Sequence, residues 1–107
     1  MGKQAPLRVL RDDVDDRARE LTTRAHKLKR KGELRRAAVT LREACGLDEG
    51  NAARWVLFGD LLFRMGKRDE AARAMKQALY LREQNGEKAK ASVIRRLILN
   101  LARSPAS

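Results

Sequence analysis

Between Asp13 and Lys31 the apolar residues Val14, Ala18, Leu21, Ala25 and Leu28 recur at steps of four and three, which gives one face of an amphipathic helix. Asp12, Asp13, Asp15 and Asp16 are expected at its start and Lys27 to Lys31 at its end, the order the helix dipole favours, and Gly32 is expected to stop it. A second helix is expected over 33–45, with Leu34, Ala37, Ala38, Leu41 and Ala44 on one face and a stop at Gly46. A third follows Asn51, a good N-cap, and runs to Met65. Its apolar arc is wide: Trp55, Val56, Phe58, Leu61, Leu62, Phe63 and Met65 cover more than one face, so it is expected to be the most buried. A fourth, over 68–82, places Ala71, Ala74, Met75, Ala78 and Leu79 inward and ends at the Asn85–Gly86 turn. The fifth, over 87–103, aligns Val93, Ile94, Leu97, Ile98 and Leu101, and no partner helix is expected after it. The pattern predicts an all-α chain of about five helices.

A shift of 34 residues superimposes the pattern on itself. Gly32 falls on Gly66, Ala37 and Ala38 on Ala71 and Ala72, Ala44 on Ala78, Leu28 on Leu62, Leu21 on Trp55, and Ala25 on Gly59. Two helices per period mark antiparallel helix-turn-helix repeats stacked as an α-solenoid. Trp55, Phe58, Gly59 and Leu62, followed by Ala71, Met75 and Ala78, resemble a tetratricopeptide repeat. Gly59 and Ala71 have almost no side chain, as two closely approaching antiparallel helices require. The unit at 18–51 departs further from that pattern: Leu21 replaces the tryptophan, Arg24 an aliphatic residue and Leu28 the tyrosine. Glu49 and Glu83 stand where proline is usual.

The expected organisation is an N-terminal arm over 1–12, repeats over 18–51 and 52–85, a capping helix over 87–103 and a tail over 104–107, with 13–103 as a single domain. Two repeats are fewer than the three a solenoid ordinarily needs. Leu7, Val9, Leu10 and Val14, or a second copy in a homodimer, are expected to supply further burial.

The resemblance implies a binding module in which the first helices of successive repeats line a concave groove for a peptide or helix of another protein. By register, Arg19, Thr22, His26 and Lys29, then Ala53, Val56, Asp60 and Phe63, then Lys90, Ile94 and Leu97 face that groove. An acidic, amphipathic partner would suit a groove apolar on one side and basic on the other. The same apolar residues, Val56, Phe63, Ile94 and Leu97, equally suit burial between repeats. The carboxylate clamp associated with the family needs asparagines where His26 and Asp60 stand, so that ligand is not expected.

Charge adds a rival reading. Lys and Arg number 25 against 14 Asp and Glu, a formal net charge of +11, and the stretch Arg24–Arg42 holds eight cations with Glu33 as its only acid. Such a patch suits nucleic acid as well as an acidic protein. Cys45 is a single cysteine, expected to be buried and structural, which agrees with a reducing, cytoplasmic setting. His26 stands among Arg24, Lys27, Lys29 and Arg30, which would repel a metal cation. No nucleophile, base and orienting group occur together, and no apolar run reaches the ~20 residues that cross a bilayer. We therefore expect neither an enzyme nor a cofactor nor a membrane span.

Overall fold

Five helices follow one another in the structure, a computed structural model that describes the backbone of residues 7–103 and the side chains of residues 11–103. They are α1 (Leu7–Arg30), α2 (Leu34–Leu47), α3 (Ala52–Arg64), α4 (Arg68–Gln84) and α5 (Lys88–Arg103). Each packs chiefly on its neighbours in the chain, α1 on α2, α2 on α3, α3 on α4 and α4 on α5. This one-dimensional packing gives a slab of 61 × 35 × 18 Å.

The small residues of the repeat lie where helices cross. Ala37 and Ala44 on α2, and Ala71 and Ala78 on α4, are fully buried. Leu21, Ala25 and Leu41 fill the α1–α2 crossing; Phe58, Gly59, Leu62 and Met75 fill that of α3 with α4. Leu28 and Trp55 are half-buried against the same core. A methyl group on Gly59 would come 3.0 Å from Met75 Cε, 3.1 Å from its Cγ and 3.3 Å from the Ala71 carbonyl oxygen, so the two backbones approach too closely for an unadjusted side chain there.

Each hairpin turn is built the same way. Gly32 and Gly66 have φ of 80° and 79°, a region that glycine enters freely. The N–H of Glu33 bonds the Leu28 carbonyl (3.0 Å) and that of Lys67 the Leu62 carbonyl (2.9 Å), which closes a Schellman turn at the end of α1 and of α3. The α4–α5 turn repeats the device, with Glu87 N–H on the Arg82 carbonyl at 2.9 Å. The turn between α2 and α3 uses other means. Asp48 N–H bonds the Ala44 carbonyl, and the Asn51 side chain caps α3 by accepting from Arg54 N–H at 3.1 Å.

Both turns between repeats carry an ion pair, and the two have opposite polarity. In the first, Asp48 accepts from Arg54 at 2.6 Å; in the second, Arg82 donates to Glu87 at 2.8 Å. Positions 48 and 82 are equivalent in the repeat, so an acid in one turn corresponds to a base in the other.

Three expectations are corrected. Helix α1 begins at Leu7 instead of near Asp13, because nothing after Pro6 interrupts helix; Asp12, Asp13, Asp15 and Asp16 therefore lie beyond its first turn. Helix α2 runs through Gly46 to Leu47, since Gly46 keeps an ordinary helical backbone and the chain turns only at Asp48. Val14 is 38% exposed, not part of the core, because the buried face of α1 begins at Ala18. The packing expected of Leu7, Val9 and Leu10 and the tail 104–107 lie outside the described residues.

Candidate functional site

Helices α1 and α3 run parallel, one per hairpin, and two polar bridges tie them. Lys29 Nζ lies 3.4 Å from Asp60 Oδ2, and Arg54 Nε donates to Thr22 Oγ1 at 2.9 Å. The repeat register puts Thr22 and Lys29 on α1 one helical face with His26, and Val56, Asp60 and Phe63 on α3 one face with Ala53. A gap of about 10 Å³ between the helices, lined by Thr22, Ala25, His26, Lys29, Leu41, Leu57 and Leu61, has room for about one water and no small-molecule ligand.

The residues expected in the groove divide by environment. Arg19, His26 and Lys90 are exposed; Arg19 pairs with Asp16 at 3.7 Å and Lys90 with Glu87 at 3.7 Å. Thr22, Lys29 and Asp60 are half-buried and engaged in the bridges, Asp60 also accepting from Arg64 at 3.0 Å. Val56, Phe63 and Leu97 are half-buried, each resting on the core with part of its surface open. Ile94 does not belong to a groove. It is 3% exposed and packs within the core, because α5 turns Ala91, Ile94 and Leu101 toward the rest of the domain.

Arg54, unremarked in the sequence, is the one buried charged side chain among the described residues, 7% exposed. Its guanidinium joins three elements: Asp48 in the inter-repeat turn, Thr22 on α1 and its own helix α3. A buried charge is tolerated only when paired and hydrogen-bonded, and both conditions hold. The signal in the sequence was slight: a basic residue beside Ala52 and Ala53, six positions after an acid.

On another side of the repeat a cleft of about 430 Å³ opens between Arg42, Trp55, Phe58, Leu62, Glu70 and Arg73. Arg42 sits 5.6 Å over the Phe58 ring and 3.5 Å from Glu70, a surface pair in which both side chains keep contact with solvent. Trp55 donates its ring N–H to the Glu49 carbonyl at 2.9 Å, so the indole is tied to the turn before α3.

Chemistry at single residues is muted. Burial pushes the Cys45 thiol up from its ordinary 9.0 to about 12, which removes thiolate and makes it a packing residue. No group of three His, Cys, Asp or Glu side chains converges as a metal site among the described residues. Nor is any described helix long and apolar enough to cross a membrane.

Compared with known proteins, residues 52–85 match the family described as tetratricopeptide repeat, over α3, α4 and the turn between them. A comparison of the chain with curated proteins gives no match. The matched segment contains the Gly59–Ala71 approach and the Trp55, Phe58 and Leu62 packing that the repeat pattern requires, and residues 52–85 are thus a tetratricopeptide repeat within the chain.

Proposed function

We propose that this protein is a non-enzymatic interaction module that holds an acidic, amphipathic peptide or helix of a partner protein along the side formed by α1, α3 and α5. Tetratricopeptide repeats are in general protein-interaction modules. The observation that carries the finer reading is the combination of half-open apolar residues with exposed bases on the faces that the repeat register aligns: Val56, Phe63 and Leu97 keep part of their surface open, and Arg19 and His26 are exposed on α1. Apolar anchors would set how long a partner stays, and the bases how fast it arrives. A reducing, cytoplasmic setting belongs to the same reading, with Cys45 kept as a buried thiol.

Peptide-display selection against the intact protein tests it. Enriched sequences should be acidic and amphipathic. Phe63→Ala should then speed their dissociation roughly tenfold, the effect of losing an anchor worth over 1 kcal/mol. Arg19→Gln should mainly slow association. Lys29 and Asp60 are poor test positions, because changing either also breaks the bridge between α1 and α3. Enriched peptides indifferent to both Phe63→Ala and Leu97→Ala would overturn the groove reading.

A further inference from the structure

Internal ion pairing divides the charges of this protein unevenly. Nine of the 14 acids are held by a neighbouring base: Asp16, Glu20, Glu33, Glu43, Asp48, Asp60, Glu70, Glu83 and Glu87. The excess of bases is thus left without counter-charge, and it is not spread evenly. Arg24, Lys27, Arg30, Lys31 and Arg35 are exposed and have no acidic partner among the described residues, and all lie in the last two turns of α1 or just across the following turn.

Two structural explanations for this cluster fall short. Bases at a helix C-terminus can satisfy its open carbonyls, but here the Lys27 carbonyl already accepts from Lys31 N–H, that of Leu28 from Glu33 N–H and that of Lys29 from Gly32 N–H. Long basic side chains can also cover apolar surface, yet from Thr23 to Arg36 every exposed side chain is polar or charged. The cations therefore face solvent with no internal task beyond a weak dipole effect.

We infer that this end of the molecule is a second binding surface, separate from the groove, that takes the phosphodiester backbone of a nucleic acid without reading its sequence. Arg24 and Lys27 stand at i and i+3 on one face of α1, and Lys31, the first residue past its end, follows at i+7; the three cover roughly 10 Å, which matches about three successive phosphates of one strand. Because α1 and α3 are parallel, the end of α3 lies at the same edge, and Lys67, exposed and unpaired in the equivalent turn, continues the basic surface. An acidic protein is the less suitable occupant. Stable docking of a folded partner depends on buried apolar anchors, and this surface has none, whereas a polyphosphate chain binds through charge and counterion release alone. The absence of exposed aromatic residues in this stretch removes base stacking and leaves backbone contact as the mode of binding.

The test uses the full chain and a short random-sequence DNA duplex, its single strand and the matching RNA, followed by fluorescence anisotropy. Four phosphate contacts would weaken duplex binding roughly a hundredfold between about 50 and about 200 mM salt. Arg24→Gln, Lys27→Gln and Lys31→Gln together should reduce affinity at low salt by at least about tenfold and lower the salt slope by about 2 to 3. A control with the same loss of charge elsewhere, Arg73→Gln, Lys76→Gln and Arg96→Gln, should change affinity less than about threefold, since long-range attraction is screened. Melting of both variants, followed by circular dichroism, should match the parent, because all six side chains are exposed and unpaired. Phe63→Ala should leave nucleic-acid binding intact, so the groove and this surface stand or fall separately. The inference is overturned if no nucleic acid binds at low salt, if both triple variants lose affinity equally, or if poly-glutamate of equal charge competes as well as DNA does.

Discussion

The two hairpins, α1–α2 and α3–α4, solve one packing problem with different side chains. Both put alanine at the crossing on the second helix, Ala37 and Ala44 in one, Ala71 and Ala78 in the other, and both turn on a glycine of positive φ. They differ in what faces those alanines. The first hairpin sets Ala25 against Leu41; the second sets Gly59 against Met75. Gly59 removes a side chain from the crossing and Met75 returns a longer, more flexible one to fill the space. The first hairpin likewise has Leu21 and Arg24 where the second has Trp55 and Phe58, and it turns an exposed basic surface outward where the second buries an aromatic ring. Helix spacing in this fold is therefore a property of paired positions, not of single residues. The family match falls on the hairpin that uses glycine and tryptophan.

Substitutions can break this comparison, and the largest effect is expected at its closest contact. Gly59→Leu should lower unfolding free energy by about 3 kcal/mol, because its Cβ alone would stand 3.0 Å from Met75 Cε and 3.3 Å from the Ala71 carbonyl oxygen, and the rest of the side chain must be housed beyond it. Urea denaturation measures it, and an unchanged midpoint would mean that the two helices are not held this close. Next in size is Asp48→Ala, which leaves the buried Arg54 guanidinium with Thr22 as its remaining side-chain partner. About 2 kcal/mol should be lost by the same measurement.

A smaller effect sharpens the comparison of Ala25 with Gly59. Gly59→Ala gains helix propensity but presses a methyl group against Met75, so a net loss of up to about 1 kcal/mol is expected. Adding Met75→Leu reproduces the pairing of the first hairpin and removes the Cε contact. The double variant should then be more stable than the sum of the single changes predicts, a coupling read from a double-mutant cycle. Additive behaviour would show that the hairpins do not share one packing rule.

The smallest effect concerns the half-buried pair of the second turn. Arg82, donating to Glu87, holds the Glu87 carboxyl below its ordinary value of 4.5. The stability contributed by this pair is present above that value and is lost as pH falls through the lowered one. Glu87→Gln should remove that part of the acid sensitivity in thermal melts from neutral to acidic pH, through a small loss of stability at neutral pH, where the pair is formed, and none at acidic pH, where it is already lost. An acid profile identical to the parent's would mean that the pair does not form in solution.

What the sequence made legible was the part governed by local rules. Helix periodicity, the glycines at 32, 66 and 86 and the alanines of the crossings each act through backbone geometry or side-chain size, which a residue carries wherever it stands. Helix ends were less legible. Gly46 can stop a helix or stay within one, and only tertiary packing of Ala44 and Cys45 decides. The candidate site was legible only as a register. Ile94 and Leu97 share the periodicity of α5, yet one is core and the other half-open, and the difference lies in how α5 leans on α4. Arg54 was invisible because its burial depends on Asp48 and Thr22 arriving together from two other segments.

The reversed ion pairs of the inter-repeat turns bear on how an array of like parts avoids assembling wrongly. Repeats that resemble one another can dock out of order, within a chain or between two chains, and such misassembly is a characteristic failure of repeat proteins. Here a second repeat that met α3 would bring Arg82 toward Arg54, with Ala53 where Glu87 should stand, whereas a first repeat that met α5 would find Lys88 at the position equivalent to Arg54. One of the two wrong neighbours therefore presents a like charge where the right one presents its opposite. Two chains that swap helices out of order meet the same one-sided repulsion. The reversal of sign thus works as a partial address: it turns the second repeat away from α3 and leaves the first repeat to be directed by its other contacts.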